Sequence, residues 1–347
     1  MKTEHILIIR FSAIGDVAMT VPVVYALATQ YPQVRVTMLS QPFARPLFEH
    51  LAPNVGFMGA DIKGEYNGIR GLNALYRRLT AKNFTAVADL HNVLRSNYLR
   101  MRFNLDQNHV AHIDKHRDER RRLTARRNKV LEPIPTAFQN YAEVFSRLGY
   151  PIHYNFKSLF TPSIASLRQL PEAIGEKKSF QQWIGIAPFA AHEGKAYPLS
   201  RMEEVINGLA ARHPSARFFL FGGGESERSK LQNVAERQPR CTVVPGLLHG
   251  LHEELILMSH LDVMVSMDSA NMHLASLVAT PVVSIWGATH PYAGFMGWNQ
   301  KPENAVQVDL QCRPCSIFGN KPCYREDYAC LYGITPEMII NKVENNL

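Results

Sequence analysis

Short apolar runs recur along the chain at regular intervals, each bounded by glycine, proline or small polar residues. In the first half they are HILIIRF at 5–11, VRVTMLS at 34–40, VGFM at 55–58, FTAVADL at 84–90 and HVAHI at 109–113. Runs this short and this rich in β-branched residues predict buried strands. Between them apolar positions return every three or four residues, as at Leu72, Leu75 and Leu79 of GIRGLNALYRRLTAK, which predicts amphipathic helices. The helical stretch FQNYAEVFSRLGY stops on Gly149 just before Pro151.

Periodicity then fades to about residue 182, and prolines collect at 151, 162 and 171, so this stretch is expected to connect two domains. A second series follows: WIGIAPF at 183–189, ARFFLFG at 216–222, CTVVPG at 241–246, LDVMVS at 261–266 and PVVSIWG at 281–287. Helices are expected between them near 201–212, 225–238, 251–260 and 270–279, and ITPEMIINKVENN closes the chain as a helix with Pro336 in its first turn. Strands alternating with helices predict an α/β fold made of two doubly wound, Rossmann-like domains. Open parallel sheets bind ligands at the carboxyl ends of their strands, so the two are expected to face each other across an interdomain cleft.

Length supports this division, because 347 residues exceed one ordinary core. No stretch reaches the ~18 apolar residues of a membrane span. The first apolar run is cut by Arg10, Gly15 and Asp16, unlike a signal peptide, and a cytoplasmic protein is expected. The formal charge of +8 is concentrated in HIDKHRDERRRLTARRNK at 112–129, with eight Lys or Arg against three acids. That segment reads either as a solvated helix face or as a contact for a polyanion, such as anionic headgroups at the inner membrane surface. Nucleic acid is disfavoured, since no aromatic-rich strand motif or helix-turn-helix pattern accompanies the charges. Cys312, Cys315, Cys323 and Cys330 fall within nineteen residues. Structural metal, reduced thiols and an oxidised pair all remain open for them.

The polar clusters that carry chemistry follow strands. RFSAIGDVAMTVP, at 10–22, holds one glycine where a dinucleotide loop would need three, so it is no cofactor cradle. Its Asp16 suits either the capping of a helix or general-base work on a hydroxyl. Asp89, His91, Asn92 and Arg95 end the fourth strand and are expected to bind sugar hydroxyls of an acceptor, with His91 also a rival base and Asn92 also a candidate helix cap. Lys195 is the only cation of AAHEGKAYP and suits a diphosphate charge. Glu225 follows three glycines and could accept from ribose hydroxyls. Asp268 and Ser269 open a helix whose first amides suit an anion; His273, one turn on, is a further donor-side candidate, though a histidine there is more often a packed core residue.

Taken in order, RFSAIGDVAMTVP, APFAAHEGKAYP and VSMDSANMHLAS followed by PVVSIWGATHP resemble glycosyltransferase family 9, the lipopolysaccharide heptosyltransferases. The tail CRPCSIFGNKPCYREDYACLYGITPE resembles the heptosyltransferase II branch. The resemblance implies a GT-B fold, with an acceptor domain at 1–165, an ADP-sugar domain at 166–334 and a C-terminal helix at 335–347 that packs back on the first domain. It implies inverting transfer of heptose from ADP-heptose to a sugar hydroxyl of a phosphorylated lipid A–core acceptor, without metal or cofactor. Asp16 falls on the family's catalytic aspartate, beside Ser12 and Gly15 in the same acceptor-side loop. Lys195 falls on its phosphate-contacting lysine, Glu225 or Glu227 on its ribose-contacting glutamate, and Asp268 on its donor-sugar aspartate. The backbone at Ser269 and Ala270 is expected at the diphosphate, and the adenine near Leu247 to His249. A transferase using another donor, such as a UDP-sugar, and a silent binding protein of the same fold are the rival readings.

Overall fold

A computed structural model describes residues 4–160 and 165–347. Positions 161–164, inside the expected interdomain connection, lie outside the described residues. Two compact units form, one from Met1–Lys115 with Ala137–Leu159 and the other from His116–Thr136 with Phe160–Leu347.

The first unit is built on five parallel strands: β1 (His5–Ile9), β2 (Arg35–Ser40), β3 (Val55–Gly59), β4 (Ala86–Asp89) and β5 (His109–His112). Their order is β3-β2-β1-β4-β5. All five expected strands are present; four are trimmed at their ends and β3 runs one residue further, to Gly59. The unbroken apolar run of β1 is explained by its central place, because every one of its residues is buried. The helix Gly68–Thr80 buries Leu72, Leu75, Tyr76 and Leu79, the face that its spacing predicts. These side chains join Leu7, Ile9, Val87, Leu99 and Phe103 in one core.

The second unit holds six parallel strands: β6 (Trp183–Ala187), β7 (Arg217–Leu220), β8 (Cys241–Val243), β9 (Val263–Met267), β10 (Val282–Ile285) and β11 (Ala305–Val306). The order β8-β7-β6-β9-β10-β11 is the doubly wound order of dinucleotide-binding domains. Strand β11, only two residues long, was too short to leave a periodic signal.

Two expectations about boundaries are corrected. The helix Pro336–Glu344 was expected on the first domain, but Ile339, Ile340 and Val343 belong to the core of the second unit. It packs on the helix Leu199–Arg212, where a Cβ at Gly208 would come within 2.5 Å of Ile340 Cδ1. Arg212 fixes the pairing through Glu337 at 2.8 Å and Glu344 at 3.2 Å. The basic segment also belongs largely to the second unit. Arg120 lies over the rings of Phe295 and Phe318, Arg126 lies over Tyr324, and Lys129 Nζ donates to the carbonyls of Cys312 and Pro314. Three of its eight cations are therefore engaged in packing, while Arg117, Arg121, Arg122 and Arg127 stay exposed, with Arg121 paired to Asp118. Among the described residues, no helix is long and apolar enough to cross a membrane.

Candidate active site

Each sheet reverses its strand order once, between β1 and β4 in the first unit and between β6 and β9 in the second. At such a point the loops leave in opposite directions and open a crevice at the carboxyl ends of the strands. Asp16 follows β1 and the Asp89–Arg95 cluster follows β4; Lys195 follows β6 and Asp268 follows β9. Four of the polar clusters that the sequence offers thus stand at the two switch points.

In the first unit, Asp16 is the third residue of the short helix Ile14–Ala18. Its Oδ2 accepts from Ala13 N–H at 3.2 Å and pairs with the Arg10 guanidinium at 2.7 Å. Capping and charge are thus combined on one oxygen. Oδ1 makes no hydrogen bond among the described residues, and the side chain is 30% exposed. Arg10 is buried and also donates to Leu90 O at 2.7 Å. Burial opposes its charge, but Tyr141, Asp16 and Asp89 outweigh that and raise its pKa, so it stays a fixed cation. In the sequence Arg10 only interrupts an apolar run; its functional signal is its place six residues before Asp16.

The cluster after β4 divides by role. Asp89 is fully buried; Oδ1 takes the N–H groups of His91 and Asn92 at 2.9 and 2.8 Å, and Oδ2 pairs with Arg100 at 3.3 Å. It builds the loop and is not open to an acceptor, contrary to expectation. Nor does Asn92 cap the next helix: that cap is Val93, whose N–H is taken by Ser96 Oγ, while Asn92 Nδ2 donates to Ile113 O. His91 Nδ1 accepts weakly from Phe11 N–H at 3.4 Å. Burial first, then the nearby Arg10 charge, pushes the imidazole down to about 3, so it is a poor base at neutral pH. Ser12 is half-buried, Gly15 lies buried within the Asp16 helix, and Arg95 is exposed.

In the second unit Lys195 ends a single turn, Glu193–Lys195, and its Nζ lies 3.2 Å from Asp268 Oδ2. Both side chains are largely buried, 16% and 6% exposed, so this is a pair shielded from water. The turn is tied to the end of β10 by Ala288 N–H donating to Gly194 O at 2.7 Å. Gly319, at φ +74°, lies so close that a Cβ there would meet Lys195 Cγ at 2.4 Å, which pins the lysine stem. Arg313, another buried cation that sequence reading passed over, donates to the carbonyls of Gly287, Trp286 and Thr289 and holds that strand end in place.

Asp268 leads into Ser269, the cap of the helix Ala270–Leu277. Ser269 Oγ does not cap that helix but lies 3.3 Å from Ser266 Oγ, which leaves the first-turn amides beginning at Ala270 available to a ligand. His273 is buried, as a packed core residue would be. Glu225 is 84% exposed and near Arg228, whereas Glu227 takes the Gly223 N–H at 2.7 Å. Of the two glutamates, Glu227 is engaged by the backbone of the cap residue Gly223 and Glu225 is the one open to a ligand.

All five cysteines are free thiols, and Cys312, Cys315, Cys323 and Cys330 line one pocket with Arg325 and Asp327. Burial raises the Cys315 thiol and pushes Cys330 up to about 11. Among the described residues, no group of three His, Cys, Asp or Glu stands where it could hold a metal ion.

The pattern describing "Glycosyltransferase family 9 (heptosyltransferase)" matches residues 72–322, most of the chain. The chain belongs to glycosyltransferase family 9. This family 9 chain is 23% identical over 299 residues to the lipopolysaccharide core heptosyltransferase OpsX of Haemophilus influenzae, covering 83% of itself and 80% of that protein. It is 23% identical over 308 residues to lipopolysaccharide heptosyltransferase 3 of Escherichia coli, with 84% of each covered. Its fold is similar to that of a family 9 glycosyltransferase from Veillonella parvula, at 18% identity and a TM-score of 0.74, covering 100% and 98% of the two chains. A likeness to E. coli heptosyltransferase WaaC with ADP has a TM-score of 0.68 at 19% identity, covering 99% and 100%. The two parallel-sheet units are thus the GT-B architecture. The matched segment contains Lys195, Glu225 and Asp268 but begins after Asp16.

One acidic residue near the expected adenine loop gives the family 9 chain a pH-dependent stability. Burial raises the Glu254 carboxyl to about 7 from its usual 4.5. Below the unfolded pKa the group is neutral in both states and costs nothing. As pH rises to about 7 the unfolded chain ionises first, and stability falls by up to about 3 kcal/mol. Glu254→Gln is therefore expected to raise the melting temperature at pH 8 and leave it unchanged near pH 4. Equal shifts at both pH values in a thermal melt would show that burial of this carboxyl is not the cause.

Proposed function

We propose that this protein transfers heptose from ADP-heptose to a sugar hydroxyl of the phosphorylated lipopolysaccharide core, with inversion and without metal, on the cytoplasmic side of the membrane. The Lys195–Asp268 pair carries this reading, since it stands at the switch point of the second sheet beside an uncapped helix start. A diphosphate needs positive charge that does not have to be imported. Lys195 Nζ and the amides beginning at Ala270 supply it, with Ser269 at the edge. Asp268, relieved of Lys195 when the diphosphate arrives, accepts from hydroxyls of the donor sugar. Exposed Glu225 accepts from the ribose, and the loop at Leu247 to His249 lies against the adenine.

The acceptor side is the first unit. The free Oδ1 of Asp16 takes the proton of the acceptor hydroxyl as its oxygen attacks the anomeric carbon, and the departing diphosphate carries its electrons toward Lys195. Arg10 holds the opposite oxygen, so the carboxylate keeps one fixed orientation. Ser12, His91 and Asn92 border that position, and Arg95 reaches a phosphate of the acceptor. His91, neutral by burial, serves as a hydrogen-bonding group and not as the base.

Calorimetric titration with ADP and UDP, in buffer containing a chelator, tests the donor assignment. ADP is expected to bind at least tenfold more tightly than UDP. A preference for UDP would transfer the assignment to another nucleotide-sugar donor, and no binding of either would favour a silent protein of this fold.

A further inference from the structure

Two neighbouring helices of the first unit carry a pattern that sugar transfer does not use. The helix Leu94–Leu105 buries Ser96, Leu99 and Phe103. At about 100° per residue, Leu94, Met101 and Leu105 fall in a stripe roughly opposite that buried face. Leu94 is 89% exposed, Leu105 70% and Met101 52%. Single exposed leucines are ordinary on a protein surface, but three in one line about 16 Å long form a directed apolar edge.

The adjacent helix Gly68–Thr80 extends this surface, with Ile69 exposed at its start. Tyr98 Oη and Arg102 both donate to Asn73 Oδ1, at 2.6 and 2.9 Å, and the Arg102 guanidinium lies over the Tyr76 ring. The two helices therefore present one rigid face. Between them they contain six arginines and no aspartate or glutamate. Arg78, Arg100 and Arg102 are held by neighbouring side chains. Arg70 and Arg77 are exposed and have no carboxylate at ion-pair distance among the described residues.

A face meant only for water mixes both signs of charge. A second copy of this chain meeting the same face would set arginine against arginine, which disfavours a symmetric dimer. An anionic lipid surface satisfies both features: apolar side chains enter the boundary between headgroups and acyl chains, and unpaired arginines meet lipid phosphates. We propose that the outer face of the helices Gly68–Thr80 and Leu94–Leu105 docks the protein on an anionic bilayer, through Leu94, Met101 and Leu105 together with Arg70 and Arg77. This surface is distinct from the basic segment at 112–129.

The test is co-sedimentation of the intact protein with phosphatidylcholine vesicles, with or without phosphatidylglycerol. The variants are Met101→Ser with Leu105→Ser, and Arg70→Gln with Arg77→Gln; all four side chains are solvent-facing, so melting temperatures are expected to match the wild type. The wild type is expected to bind phosphatidylglycerol vesicles at low salt at least tenfold more tightly than phosphatidylcholine alone, and each double variant to weaken that binding about tenfold. No binding to phosphatidylglycerol vesicles, equal binding to both vesicle types, or binding that either double variant retains in full would overturn the proposal. Self-association of the wild type that the Met101→Ser, Leu105→Ser variant abolishes would assign the face to a second copy of the chain instead.

Discussion

Asp16→Asn is expected to lower the turnover of sugar transfer by roughly 10²–10⁴-fold while leaving ADP affinity within a factor of two. The reasoning starts from its two oxygens. Oδ2 is engaged by Arg10 and by Ala13 N–H, and Oδ1 is the acceptor left for a substrate proton. Asparagine keeps the shape but accepts no proton at neutral pH. It also leaves Arg10 without its nearest countercharge, so a melting curve must accompany the assay. A variant that folds, binds ADP and turns over at near wild-type rate would remove Asp16 from the role of base. His91→Gln provides the contrast: its imidazole is held near 3, so its loss is expected to change acceptor KM more than kcat.

Lys195→Ala is expected to weaken ADP binding by about 10–100-fold, the worth of a charge-assisted contact to phosphate. A second effect travels with it. Asp268 is only 6% exposed and loses the partner 3.2 Å away, which leaves a buried carboxylate unpaired and lowers stability by about 3 kcal/mol. The double variant Lys195→Ala, Asp268→Asn separates the two, since it restores stability without restoring affinity. Recovery of ADP binding in the double variant would show that the lysine acts only by balancing Asp268.

Much of this was legible in the chain because the strands are central and buried on both faces. A run such as HILII has to be apolar throughout, and the polar residues displaced from it gather where the strand ends. That is why Asp16, Lys195 and Asp268 stand out in the sequence. The sign of each loop's role was harder to read. Asp89 resembles a site residue in sequence, yet it is fully buried and folds its own loop. Arg10 resembles an interruption, yet it grips Asp16. The burial of Asp89, and of Arg10 against Leu90 O, depends on β4 lying beside β1, a long-range fact that local pattern does not contain; the six-residue spacing of Arg10 and Asp16 is local. The same holds for the C-terminal helix: its apolar face was plain, but only the close approach at Gly208 decides which core receives Ile340. In the basic segment, the rings that receive Arg120 and Arg126 lie far along the chain, at Phe295, Phe318 and Tyr324.

The most direct measurement is mass spectrometry of a lipid A–core acceptor that lacks the heptose, incubated with ADP-heptose and the purified protein in excess chelator. The account predicts a mass gain of a single heptose with stoichiometric release of ADP, lost in Asp16→Asn. Unmodified acceptor in the presence of folded, ADP-binding protein would contradict it.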